Sequence, residues 1–465
     1  MGVVYVVYDR ELKQPLAAKT FHDKELAKNP CIALRFEQEA LAWIRLEPHE
    51  NVTQARHVLK IDDQPYLFME FVSGGDLASR IGKRGLDLAE SLRFGIQFCD
   101  GMTHVLQQGI GAHRDVKPQN CLISQDSVLK ITDFGLAKVV QEPQKHGTPP
   151  TPHPEDNSNA TRAHRMNVDP GQTGIALGTC THMSPEQFEG GKCVGVRSDI
   201  YSFGVMLFQM LTGRLPFVGQ DWQDYAHLHK NAAVPPVPFD ASHLTPEQLS
   251  ELNTLVQTCL AKDLHHRFAD FSTIRKRLSS LYFSITGNSP PEPATGKALT
   301  IEQLARRSAS LLTLEEYEAS IDAGVQALEM GGLSSNLKRN LLTSLATCRE
   351  RISDYSGAIA DLTDAISVSE PMGRPYSTSV TKLLHIRGLI RCKIGDIAGA
   401  INDYTEVINS PDAPLLHRAE ALFSRALARG SVRDLSGAHA DLQCVLSFPD
   451  HPDVQSMKER ALHYV

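Results

Sequence analysis

The stretch HRDVKPQNCLI (113–123) is followed, thirteen residues after Asn120, by DFGLAK (133–138), and this ordered pair constrains the chain more than any other feature. Moving a phosphoryl group from ATP to a hydroxyl needs a carboxylate to orient the attacking oxygen, and oxygen ligands for the magnesium ions that neutralise the phosphates. The stretch supplies them in order. Asp115 would orient the hydroxyl, Lys117 would stabilise the transferring group, and Asn120 and Asp133 would hold magnesium. A lone Asp-Phe-Gly carries little weight. The full spacing carries much more, because independent structural roles do not recreate it.

The motifs flanking this pair extend the pattern, and residues 1–283 resemble a Hanks-type serine/threonine protein kinase domain. The resemblance implies an α+β, bilobal fold: a small, mostly β N-lobe over 1–72 and a helical C-lobe over 73–283. It also implies roles for particular residues. In AAKTF, Lys19 would contact the α- and β-phosphates; in FEQEALAW, Glu39 would pair with Lys19; and in LFMEFVSGGDL, Met69 would be the gatekeeper with the backbones of Glu70 and Val72 facing adenine. Val4, Ala17 and Leu122 would sandwich the adenine ring. ATP and Mg2+ are the implied cofactors, and protein Ser/Thr hydroxyls the implied acceptors.

GTCTHMSPEQF (178–188) resembles the segment that closes the activation loop and positions the substrate. Thr179, Pro185 and Glu186 match the family form, whereas Cys180, His182 and Ser184 replace its Pro, Tyr and Ala. Lys117 with Thr179, a further candidate catalytic residue, implies Ser/Thr rather than Tyr as acceptor. Asp199, in SDIYSFGVMLFQMLTGRLPF, and Arg267, the family's partner for Glu186, are read as braces for the catalytic loop. His113 is likewise a scaffold residue. Arg114 is the residue that in this family pairs with a phosphorylated activation loop; Thr173 is the expected phosphosite, with Thr148, Thr151 and Thr161 as competitors.

Singly, each residue has a bland reading: Lys19 a solvated strand lysine, Glu39 a helix-face charge, Asp133 the cap of a turn. Two rival functions are weighed with the enzyme. One is a pseudokinase scaffold that binds proteins without transferring phosphate, and the other is a small-molecule kinase, which normally lacks the Ser-Pro-Glu segment and the Arg267 partner.

The opening MGVVYVVYDRE alternates with period two and reads as a strand. It matches the end of the family's glycine-rich loop, with Gly2 as that loop's last glycine, so the first strand and earlier glycines are expected upstream of Met1. Impaired ATP binding is the expected consequence for the chain as it stands.

The stretch 140–172, rich in Pro, Asn, His and Thr, has no periodicity and is expected to be a disordered activation-loop insertion. Residues 284–297 have linker composition, and 298–465 repeat. Glu316, Asp354, Asp396 and Asp434 fall in register at steps of 38, 42 and 38 residues, which implies four helical hairpins and then a capping helix over 451–465. The pattern resembles tetratricopeptide repeats, with small residues such as Gly388 and Ala400 where helices cross. Arg349 stands where the motif favours an aromatic. An all-α solenoid that docks a protein or peptide partner is the implied role.

The net charge of -7 gives no field favouring nucleic acid. Nine cysteines without C-x-x-C spacing argue against zinc and against a disulfide framework. The longest apolar run (199–211) is short of the roughly 20 residues a membrane span needs, and no basic-then-apolar leader opens the chain, so a cytoplasmic, membrane-free protein is expected.

Overall fold

The computed structural model describes residues 2–10, 13–21, 31–134, 180–190, 194–238, 244–294, 298–369, 378–449 and 451–464. They divide into two compact units, one of residues 1–55 with 63–298, the other of 56–62 with 299–465.

The first unit opens with antiparallel strands β1 (Gly2–Asp9) and β2 (Gln14–Phe21), then helix α1 (Cys31–Arg45). Strand β4 (Gln64–Glu70) pairs with β2 in this unit, while β3 (Ala55–Ile61) falls almost wholly in the second. The register across β1, β2 and β4 pairs Val4 with Lys19, Val6 with Ala17, Lys19 with Leu67 and Ala17 with Met69. Because side chains alternate across a sheet, Val4, Ala17, Lys19 and Met69 all lie on one face. β3 was not read from the sequence; its Arg, His and Lys hide the alternation in an edge strand.

The rest of this unit is mostly helical: α2 (Leu77–Arg80), α3 (Leu88–Gln107), α4 (Val196–Thr212), α5 (Trp222–Asn231), α6 (Pro246–Cys259) and α7 (Phe271–Thr286). Helix α4 is apolar almost all round and, as such a helix must be, buried, with Ile200, Phe203, Val205 and Met206 fully enclosed. A short two-stranded sheet, β5 (Cys121–Ile123) with β6 (Leu129–Ile131), carries the functional loops at its ends. The loop after α1 is stitched to β6: Thr53 N–H donates to Ile131 O at 2.9 Å, Ile131 N–H to Asn51 O at 2.9 Å, and Asn51 Nδ2 to Leu129 O at 2.9 Å. The Pro-rich stretch after α7 is anchored too, since Arg275 donates to Pro291 O and pairs with Glu292.

The second unit holds four helical hairpins, α8 (Ile301–Thr313) with α9 (Tyr317–Met330), α10 (Ser335–Arg351) with α11 (Tyr355–Ser369), α12 (Thr378–Lys393) with α13 (Ile397–Asn409), and α14 (Leu415–Ser431) with α15 (Leu435–Leu446). Helix α16 (Pro452–Leu462) follows, burying Val454 and Ala461. Each turn is built alike. A residue at positive φ, Glu315, Ser353, Gly395 or Arg433, reverses the chain. Asp354, Asp396 and Asp434 then cap the second helix by accepting from the N–H of Gly357, Gly399 and Gly437 at 2.9, 2.9 and 3.0 Å. Glu316, one methylene longer, makes no such cap bond. A Cβ on Gly388 would sit 2.5 Å from the Tyr404 ring, which explains the small residue at that helix crossing.

The arginine that displaces the aromatic has partly buried acidic partners. Arg349 bonds Asp361 at 2.8 Å and Asp354 at 2.9 Å. The same arrangement recurs as Arg391 with Asp403 at 2.9 Å and Arg429 with Asp441 at 3.0 Å. In the last two hairpins a second arginine joins, Arg387 on Asp403 and Arg425 on Asp441, each also reaching a threonine of the preceding hairpin, Thr363 and Thr405. Among the described residues no helix is long and apolar enough to cross a membrane.

Candidate active site

β2 aims Lys19 into the space beneath the sheet, where its ammonium pairs with both Glu39 of α1 and Asp133 at the end of β6. Burial opposes the charge on Lys19, but the two carboxylates outweigh it and hold its pKa above the ordinary value. For Glu39 burial prevails, reinforced by Asp133, and its pKa is raised. Burial also acts on Asp133, but Lys19, helped by His113 and Lys117, holds it below the ordinary value. The two carboxylates are thus shifted in opposite directions, Asp133 toward its ionised form and Glu39 away from it. Gly2, opposite Phe21, lies beside the Lys19 side chain, where an added Cβ would come within 3.0 Å of Thr20 O and 3.5 Å of Lys19 Cε.

Asp115 is gripped from two sides. Lys117 Nζ lies 3.0 and 2.8 Å from its two carboxylate oxygens, and Asn120 Nδ2 donates to its backbone O at 2.8 Å and to Oδ2 at 2.9 Å. Asn120 is buried immediately before β5, and its backbone carbonyl accepts from Thr132 N–H at 3.0 Å, which ties the 113–120 loop to the strand end carrying Asp133. Asp115 N–H donates to His113 Nδ1 at 3.3 Å, and His113 Nε2 lies 3.0 Å from Thr132 O, so the ring bridges the two segments. Fully buried Asp199 accepts from His113 N–H and Arg114 N–H, both at 2.7 Å, and burial raises its pKa to about 6.

Met69 is buried beside Ala17, Val4 is half-exposed on the same face, and Leu122 stands on β5. Glu70 gives its N–H to Gln54 O at 2.9 Å and its side chain to Lys130 at 3.0 Å, and Val72 follows at the end of β4. Thr179, Thr173, Thr148, Thr151, Thr161 and the 140–172 stretch lie outside the described residues. Beyond them, buried Arg267 grips Glu186 with two bonds of 2.8 and 2.9 Å. These, with Ser198, overcome the effect of burial and hold the Glu186 carboxyl below its ordinary range.

Two of the departures near Thr179 make separate polar contacts. His182 bonds Gln209 at 3.0 Å and Thr181 at 2.8 Å, and Ser184 bonds Gln187. One functional side chain escaped the sequence reading. Trp43, one helical turn beyond Glu39, packs on Phe134, and its position on that face was the available signal.

The family of protein kinase domains matches residues 1–283. Similar proteins include a serine/threonine-protein kinase of Corynebacterium efficiens, 30% identical over 63% of this chain and 50% of that protein. A probable serine/threonine-protein kinase PknB of Lactococcus lactis is 32% identical over 58% of this chain and 38% of its own length. The serine/threonine-protein kinase PrkC of Bacillus subtilis is 28% identical over 72% and 46%. The chain thus spans about half or less of these relatives. With Lys19, Glu39, Asp115, Asn120 and Asp133 in family order and the bilobal fold around them, the chain belongs to the Hanks-type protein kinase family.

Proposed function

We propose that the chain transfers the γ-phosphoryl group of ATP to serine or threonine hydroxyls of proteins. The observation that carries this is the single ammonium of Lys19 paired with both Glu39 and Asp133, next to an Asp115 already oriented by Lys117 and Asn120. Asp115 would accept the bond from the incoming hydroxyl and direct its oxygen at the γ-phosphorus, while Lys117 offsets charge on the moving group. Among the described residues no cluster of three or more His, Cys, Asp or Glu could hold a metal alone. Asp133 and Asn120 instead offer few, hard oxygen donors, a set that fits magnesium shared with substrate phosphates. Bound there, the ion would neutralise the phosphates.

Arg114 is positioned to regulate this chemistry, because its Nε is buried with no partner among the described residues and suits a phosphorylated loop residue such as Thr173. The second unit, whose paired helices resemble tetratricopeptide repeats, would dock a protein or peptide partner. The test is radiolabelled ATP with a generic protein substrate, comparing the chain with Asp115→Asn. Label transfer by the parent and a loss of at least about 100-fold in the variant is expected. A parent that binds ATP and magnesium yet transfers nothing would instead be a scaffold.

A further inference from the structure

We propose that Gln187 is a positioning residue that fixes the peptide plane in front of Asp115. This rests on the kinase reading for its catalytic consequence, though not for its structural one. Gln187 Nε2 donates to Arg114 O at 2.9 Å, across 73 residues of sequence. Its Oε1 accepts from Ser184 N–H at 2.9 Å and from Ser184 Oγ at 3.1 Å. An amide N–H can only donate and a carbonyl can only accept, so these partners leave the Gln187 amide one orientation.

Arg114 needs such support. Its φ is +68°, in the left-handed region that a non-glycine residue enters at a cost. The peptide plane joining Arg114 to Asp115 is held at both edges, its carbonyl by Gln187 and its N–H by His113 Nδ1 at 3.3 Å. Asp199 holds the plane before it through Arg114 N–H. His113 and Asp199 brace the loop from the core side. Gln187 braces it from the substrate-positioning segment, so the backbone that aims Asp115 is tied directly to the segment that receives the acceptor.

Glutamate is the informative replacement, because it retains the shape and the acceptor toward Ser184 but turns a carboxylate oxygen toward Arg114 O. Methionine keeps the length and removes both functions. The experiment measures phosphoryl transfer by the full chain and hydrogen exchange of the peptide spanning 110–121, for the parent, Gln187→Glu and Gln187→Met. Both variants are expected to lose about tenfold in kcat with KM for ATP unchanged within about twofold, and to exchange the loop amides about tenfold faster. Parental exchange and kcat in Gln187→Glu would overturn the proposal, as would a loss seen only in KM for ATP. Should the parent transfer no phosphate, the kinase reading fails by itself, and the exchange rates of the loop still decide the role of Gln187.

Discussion

Trp43 and Phe134 meet edge to face, with ring centroids 5.2 Å apart and planes at 90°. Trp43 also donates its indole N–H to Thr53 O at 2.7 Å. Thr53 N–H is bonded to Ile131 O on β6, three residues from Phe134. The helix that carries Glu39 is therefore fastened, through one side chain, to the strand that carries Asp133. A swing of this helix away from the sheet would break the Lys19–Glu39 pair. The indole bond adds a second latch that such a swing would have to break.

Trp43→Phe tests that latch. It keeps an aromatic ring against Phe134 but leaves Thr53 O buried without its donor, a cost of roughly 1–3 kcal/mol. The expected outcome is a lower melting temperature and a kcat reduced more than KM, read by calorimetry and steady-state kinetics.

Lys19→Met removes the cation that Glu39 and Asp133 share, leaving two carboxylates facing each other. Transfer is expected to fall by about 100-fold or more, with a smaller loss in Glu39→Gln, where Lys19 keeps Asp133. Initial-rate measurements at saturating ATP discriminate the two.

His182 predicts a pH dependence of stability. Burial, with a lesser contribution from Lys117, outweighs the Gln209 bond and lowers its pKa from 6.5 to about 4. The unfolded chain therefore takes up a proton near pH 6.5 that the folded chain refuses until about 4. Stability from this group is complete above pH 6.5 and declines as pH falls to about 4, by at most roughly 3 kcal/mol. Urea unfolding between pH 7 and 4 should show a shallower slope in His182→Gln, with His229, lowered to about 3 chiefly by burial, supplying part of what remains.

In the repeats, Asp403 is almost wholly buried between Arg387 and Arg391. Asp403→Ala strands two guanidinium groups and should destabilise its hairpin by about 3–5 kcal/mol, whereas replacing Arg387 and Asp403 together by leucine should cost far less. Hydrogen exchange over 378–409 reads both.

The sequence made the catalytic loop legible because phosphoryl transfer fixes residue types at fixed spacing, so Asp115, Lys117, Asn120 and Asp133 stood out without any structure. The repeat register was legible for a related reason: the turn Asp at 354, 396 and 434 caps a helix three residues before a glycine. What escaped depends on partners remote in sequence. Arg349 looked like a departure from a motif because its partner Asp361 sits on the next helix, twelve residues on. β3 escaped because an edge strand need not alternate. Ser184 and Gln187 have the S-x-x-Q spacing of a capping box, yet the third partner, Arg114 O, has no side-chain signature and only the fold reveals it.

The buried arginine–aspartate pairs also give the helical array a direction. At the positions of Arg349 and Asp361 the first hairpin has Leu311 and Ala323, both buried, so it lacks the charge pair that the three that follow carry. A duplicated hairpin spliced in after the second could hand its arginine to a neighbour's threonine, as Arg387 and Arg425 already do. One spliced in before the first would have no preceding hairpin of the array to supply that threonine. The array is thus extensible from one side only, and variation in its length among related chains should be found between its interior joints rather than at its beginning.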